Sequence, residues 1–147
     1  MNMLHSEYES LLSDLVTHVR RVLPRLKEVP VSPPAMCGIF AFPDMADAWL
    51  GCARGELEST DCDVEEPVEV ADWVVVDEAL RDAFSRVDSF TLTMSDEDGL
   101  RLVQEVEKRI CEALSNWPSD AGYSLIFLLV GEPRRETIER MSAYRSV

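Results

Sequence analysis

"YSLIFLLV", residues 123–130, is the most apolar run in the chain, and turn-like segments bound it, "PSDAG" before and "GEP" after. Its length and its lack of a polar alternate predict a central β-strand covered on both faces. A strand here rules out an all-helical bundle, because the segments on either side read as helices. Downstream, Pro133 suits the first turn of a final helix with Ile138, Met141 and Tyr144 on its inner face. Upstream, Ser95 with Asp98 opens a capped helix whose apolar positions are Leu100, Val103, Val106, Ile110 and Leu114, closed by Trp117 and Pro118.

Further towards the N-terminus, "DEALRDAFSRV" (77–87) spaces Leu80, Ala83, Phe84 and Val87 for another helix, with Asp77 and Glu78 in the first turn, where carboxylates complement the helix dipole. "SFTLTM" (89–94) fits either an extension of that helix or a short strand. "MCGIFAF" (36–42) and "AWLGCA" (48–53) flank the turn-like "PDMAD" and predict a β-hairpin over 36–53, while strand character resumes over Val68–Val76. The first helix starts from a Ser6–Glu9 capping box, carries a stripe from Tyr8 to Leu26 and ends or kinks near Leu23, because Pro24 lacks an amide. "EVPVSPPA" (28–35) is a proline-stiffened connector. The order is α-β-β-β-α-α-β-α. It predicts a single α+β domain over 1–147, with a largely antiparallel sheet of about four strands and helices packed on one face.

The chain has 147 residues and a formal net charge of −14, and residues 44–112 hold 20 acids against six bases, which is the whole excess. That field repels nucleic-acid phosphates and anionic membranes and favours encounter with a basic protein. No nucleic-acid or membrane partner is expected. No apolar run reaches the length of a membrane span, and "MNMLHSEYES" lacks the pattern of a secretory signal, so the expected compartment is the cytoplasm.

The charge peaks in an acidic loop at about 54–67 and the residues after it. "DCDVEEPVEVAD" (61–72) carries Asp61, Asp63, Glu65, Glu66, Glu69 and Asp72 with no base among them. Set in a calcium-loop frame, acids occupy five ligand positions, but Glu66 stands where glycine must make the sharp turn, and a β-like run follows in place of a helix. A metal is therefore not expected, and "SDEDG" (95–99) reads as helix capping. Cys37, Cys52, Cys62 and Cys111 form no C-x-x-C pair; the three in apolar surroundings read as small core residues, and Cys62 among acids as a poor nucleophile. His5 and His18 lie too far apart on one helix for a metal pair and are expected at its surface. No nucleophile-elbow, P-loop or dinucleotide motif occurs, so neither an enzyme nor a cofactor is expected. Trp49 is expected to pack across the hairpin. Trp73, beside the acids, is the candidate aromatic anchor of a carboxylate-rimmed interface.

"CGIFAFPDMADAWLGC" (37–52), "VADWVVVDEALRDAF" (70–84) and "YSLIFLLVGEPRRETIERMS" (123–142) together resemble an uncharacterised family of small bacterial domains often encoded near toxin and immunity genes. The likeness is one of layout: an N-terminal helix, a hairpin with an acidic turn, an alanine-acid-tryptophan step and a late apolar strand before a polar helix. The long acidic insert departs from that layout. The resemblance implies a bacterial, cytoplasmic, toxin-neutralising role and brings no catalytic residues with it. Three readings follow: an acidic module that binds and occludes a basic partner such as a cognate toxin, through Asp61, Asp63, Glu65, Glu66, Glu69, Asp72 and Trp73; a regulatory or scaffold domain with a solubilising acidic loop; and an enzyme with an unrecognised carboxylate site.

Overall fold

A computed structural model of the chain describes residues 2–28, 35–54, 73–115, 124–132 and 134–145. The elements are α1 (Asn2–Val22), a 3-10 segment (Leu23–Glu28), β1 (Ala35–Ala41), β2 (Ala48–Arg54), β3 (Trp73–Val75), α2 (Glu78–Thr91), α3 (Asp96–Ser115), β4 (Ser124–Leu129) and α4 (Arg134–Arg145). The fold is α+β, with four helices and a mixed four-stranded sheet in the order β3-β2-β1-β4.

β1 and β2 form the expected antiparallel hairpin, with Ile39 opposite Leu50 and Phe40 opposite Trp49. Its turn is closed by the Phe42 amide donating to the Asp47 carbonyl at 3.1 Å, and by the Met45 amide donating to the Phe42 carbonyl at 2.8 Å. Met45 adopts φ 67° there and buries its side chain fully. β3 extends the hairpin antiparallel, with Val75 opposite Leu50.

The apolar run that set the fold class is β4, but it is an edge strand of the described sheet, not a central one, and it pairs with β1 in parallel. Leu125, Phe127, Leu128 and Leu129 are nonetheless all buried. Apolarity reports burial of both faces and says nothing about which hydrogen-bonding edges are occupied. Side-chain alternation sets Ile39, Leu50, Val75 and Phe127 on one face of the sheet and Phe40, Trp49 and Leu128 on the other. The first face receives α2, whose Phe84 ring lies 6.2 Å from that of Phe127.

The helices form for local reasons that the sequence displays. Asp77 caps α2 by accepting the Leu80 amide at 2.9 Å, and the Ser95 hydroxyl accepts the Asp98 amide at 3.2 Å at the start of α3. α2 runs through Phe90 to Thr91, so "SFTLTM" is helix and then turn. α1 gives way to a 3-10 segment at Leu23, next to Pro24. It begins at Asn2, so Ser6 lies within the helix and does not cap it.

The buried face of α3 is rotated from the expected stripe. Leu102, Val106, Ile110 and Leu114 are buried whereas Leu100 is 59% exposed. The α3 N-terminus lies near the end of α2, and a Cβ placed at Gly99 would meet Thr91 at an ordinary 3.7 Å, so the approach does not depend on the glycine. The late-strand segments 68–72 and 116–123 lie outside the described residues.

Cys37 and Cys52 face one another across β1 and β2 with Cα atoms 4.1 Å apart and form a disulfide. Both are fully buried, as expected of core residues, but they are not independent thiols. Their 15-residue separation hid the pairing, which only the hairpin register creates. Cys111 is buried, its thiol 3.6 Å from the Met141 sulfur. Among the described residues, no helix is long and apolar enough to cross a membrane.

Candidate functional site

The surface best suited to recognition lies on the sheet face opposite Phe127. There Trp49 stacks on Phe40 with ring centres 6.4 Å apart and meets Phe42 edge-on at 5.7 Å. Trp49 is 8% exposed and Phe40 1%, while Phe42 is 41% exposed. Val74 pairs with Gly51, two residues from Trp49 in β2, and so lies on the same face; Val76 follows at the next same-side position. These two valines are 37% and 59% exposed. The hairpin and β3 thus present Phe42, Val74 and Val76 to solvent on a rigid floor of buried aromatic rings. The indole N–H of Trp49 is buried there without a hydrogen-bond partner, which is costly unless something offers an acceptor.

Carboxylates follow each apolar residue along the chain. Asp44 and Asp47 lie in the turn after Phe42, and Asp77 and Glu78 come directly after Val76. Asp47 is held by Arg81 at 2.8 Å and Asp77 by Arg21 through a bidentate pair. The Arg21 hydrogen bond, against the opposing effect of partial burial, holds the Asp77 carboxyl below its usual range. Asp44 and Glu78 have no cationic partner among the described residues. Elsewhere the arginines are similarly committed: Arg25 to Glu28, Arg86 to Asp14, Arg101 to Glu97, Arg109 to Glu9 and Glu105. Much of the positive charge is therefore spent internally, and the surface field is left to the acids.

A second polar constellation clasps α4 to α3. The Glu107 carboxylate, 3% exposed, receives Arg140 at 3.1 and 3.3 Å and the Tyr144 hydroxyl at 3.1 Å. Arg140 also donates to both oxygens of Glu132 at 2.9 and 2.8 Å, and Thr137 donates to the same carboxylate. Burial pushes the Glu107 carboxyl up, against the lowering effect of Arg140 and Tyr144. Burial and then the Glu107 charge push the Tyr144 phenol up to about 12. The two carboxylates are bridged by one guanidinium, a geometry that fastens helices together. Sequence reading missed Glu107 because it is one acid in a helix with several; its place between Val106 and Ile110 on the buried face was the available signal.

A cavity of about 330 Å³ lies between α1 and α3, lined by Ser13, Val16, Thr17, Arg20, Arg109 and Glu112. Arg109 is already engaged by Glu9 and Glu105. His18, on α1, is half-buried, its Nδ1 accepting from the Arg21 guanidinium at 3.5 Å.

Of the residues expected to bind a partner, Asp61, Asp63, Glu65, Glu66, Glu69 and Asp72 lie outside the described residues, as does Cys62. Trp73 opens β3 opposite Cys52. The structure adds Phe42, Trp49, Val74 and Val76, whose gathering depends on strand pairing across more than 20 residues of sequence. Among the described residues, no group of His, Cys, Asp or Glu is arranged to hold a metal ion. No protein-family model, curated protein or solved structure matches the chain.

Proposed function

We propose that this protein is an acidic binding module that occludes a basic protein, most concretely an immunity protein that neutralises a bacterial toxin. The observation that carries the reading is the exposed apolar patch of Phe42, Val74 and Val76 over Trp49, set among carboxylates in a chain of net charge −14. Apolar residues at the centre of an interface supply most of its affinity, while surrounding charge sets encounter rate and partner choice. The committed arginines support the same reading, since they leave the acidic excess to face outward. The choice of a toxin among basic partners rests on the sequence's resemblance in layout to domains encoded near toxin genes.

Mechanistically, the acidic segment 61–72 draws in a lysine- or arginine-rich surface, and the patch then excludes water from the contact. Association slows as salt rises, because long-range attraction is screened beyond about 8 Å at physiological ionic strength. The compartment proposed is the cytoplasm. The Cys37–Cys52 bond, of a kind rare there, makes that placement testable by the intact mass of protein isolated with thiols trapped at lysis.

The decisive experiment compares affinity capture from the native cell by the wild-type chain and by F42K/V74K/V76K. The expected result is a basic protein retained by the wild type, released by salt and lost from the variant, whose toxicity on expression is suppressed by the wild-type chain. Retention of the same proteins by both chains overturns the reading.

A further inference from the structure

We infer that the partner is captured by strand addition: an extended, basic segment pairs its backbone with the outer edge of β3. The inference rests on the binding reading above and specifies its geometry. β3 ends the sheet order, and its one partner among the described strands is β2. The other edge strand, β4, is in contact with both α3 and α4. The outer edge of β3 has no strand partner among the described elements and offers main-chain amides and carbonyls for pairing. A strand laid there also meets Val74 and Val76, which are 37% and 59% exposed on the patch face. Alternate side chains of an added strand rest on such a surface, while main-chain hydrogen bonds supply affinity.

Charge selects the occupant. Glu69 and Asp72 precede β3 in sequence and Asp77 and Glu78 follow it. A second copy paired edge to edge sets one net charge of −14 against another, and that like charge opposes the pairing. A segment in which lysine or arginine alternates with apolar residues is opposite in charge to this chain, meets the exposed Glu78 that follows β3 in sequence, and rests its apolar residues on Val74 and Val76.

The test uses the full chain and two peptides of about nine residues that alternate valine with lysine and arginine, long enough to span an edge strand. The second peptide carries N-methyl groups on alternate amides, so it keeps every side chain and charge but cannot donate along one edge. The expected result is binding of the first peptide, an affinity at least about tenfold lower for the second, and slowed hydrogen exchange at the Val74–Val76 amides in the first complex. Equal affinities, or exchange unchanged at those amides, overturn strand addition while leaving the capture experiment to judge the binding reading. Absence of binding by the first peptide also overturns it. So does sedimentation showing a dimer of the free chain with the same amides protected, which assigns the edge to a second copy.

Discussion

Arg140, on α4, holds the buried carboxylate of Glu107, on α3, at 3.1 and 3.3 Å while its remaining donor capacity reaches Glu132 beyond the end of β4. One guanidinium therefore ties α4 both to α3 and to the turn that precedes α4. Tyr144 and Thr137 of α4 add hydroxyl hydrogen bonds to Glu107 and Glu132, and Met141 makes a weak thioether contact with the Cys111 thiol.

Replacing Arg140 with Met leaves Glu107 buried without its cation. Breaking such a pair from one side costs about 3–5 kcal/mol when both partners are buried. Arg140 is about one-third exposed (34%), so the expected loss is lower, about 2–3 kcal/mol. Urea unfolding of R140M checks it; a loss below about 0.5 kcal/mol, the scale of ordinary surface substitutions, contradicts the clasp.

The pH response of Glu107 has a defined sign. Its folded-state carboxyl is raised above the ordinary 4.5 by burial, so the folded chain holds that proton more tightly than the unfolded chain. The resulting stabilisation is complete below the ordinary value and disappears as pH rises through the raised one. The stability of wild type relative to E107Q should therefore fall between acid and neutral pH, measured as paired urea midpoints. Tyr144, pushed up to about 12, should ionise at a lower pH in E107Q, which ultraviolet absorbance reads directly.

Asp77 behaves in the opposite sense. Its carboxyl is lowered by the Arg21 hydrogen bond, and the Leu80 amide adds to that effect. It stabilises the fold above the ordinary 3.8, and this is lost as pH falls through the lowered value. D77A removes a helix N-cap and should cost about 1 kcal/mol at neutral pH, with the difference from wild type shrinking in acid.

The Cys37–Cys52 bond closes a short loop within the hairpin, the two residues being 15 apart. A loop of that length contributes about 3 kcal/mol in the chain-entropy account. C37A/C52A should unfold at correspondingly lower denaturant, and native wild-type protein should leave both sulfurs unlabelled by thiol reagents.

Local chemistry accounts for what was legible in the chain. Helix caps at Asp77 and Ser95, the stop at Pro24 and the alternation around "PDMAD" all act within a few residues, so the α-β-β-β-α-α-β-α order is written in the sequence. The charge imbalance of residues 44–112 is likewise independent of folding. Register and strand order are not local: the parallel pairing of β4 with β1 joins residues more than 80 apart, and nothing in "YSLIFLLV" distinguishes an edge from a centre. The hairpin register joins Cys37 to Cys52, the pairing of β3 with β2 sets Val74 on the face of Trp49, and the packing of α4 on α3 brings Arg140 to Glu107. Tertiary structure alone assembles those contacts, because each depends on which face of one element meets which face of another.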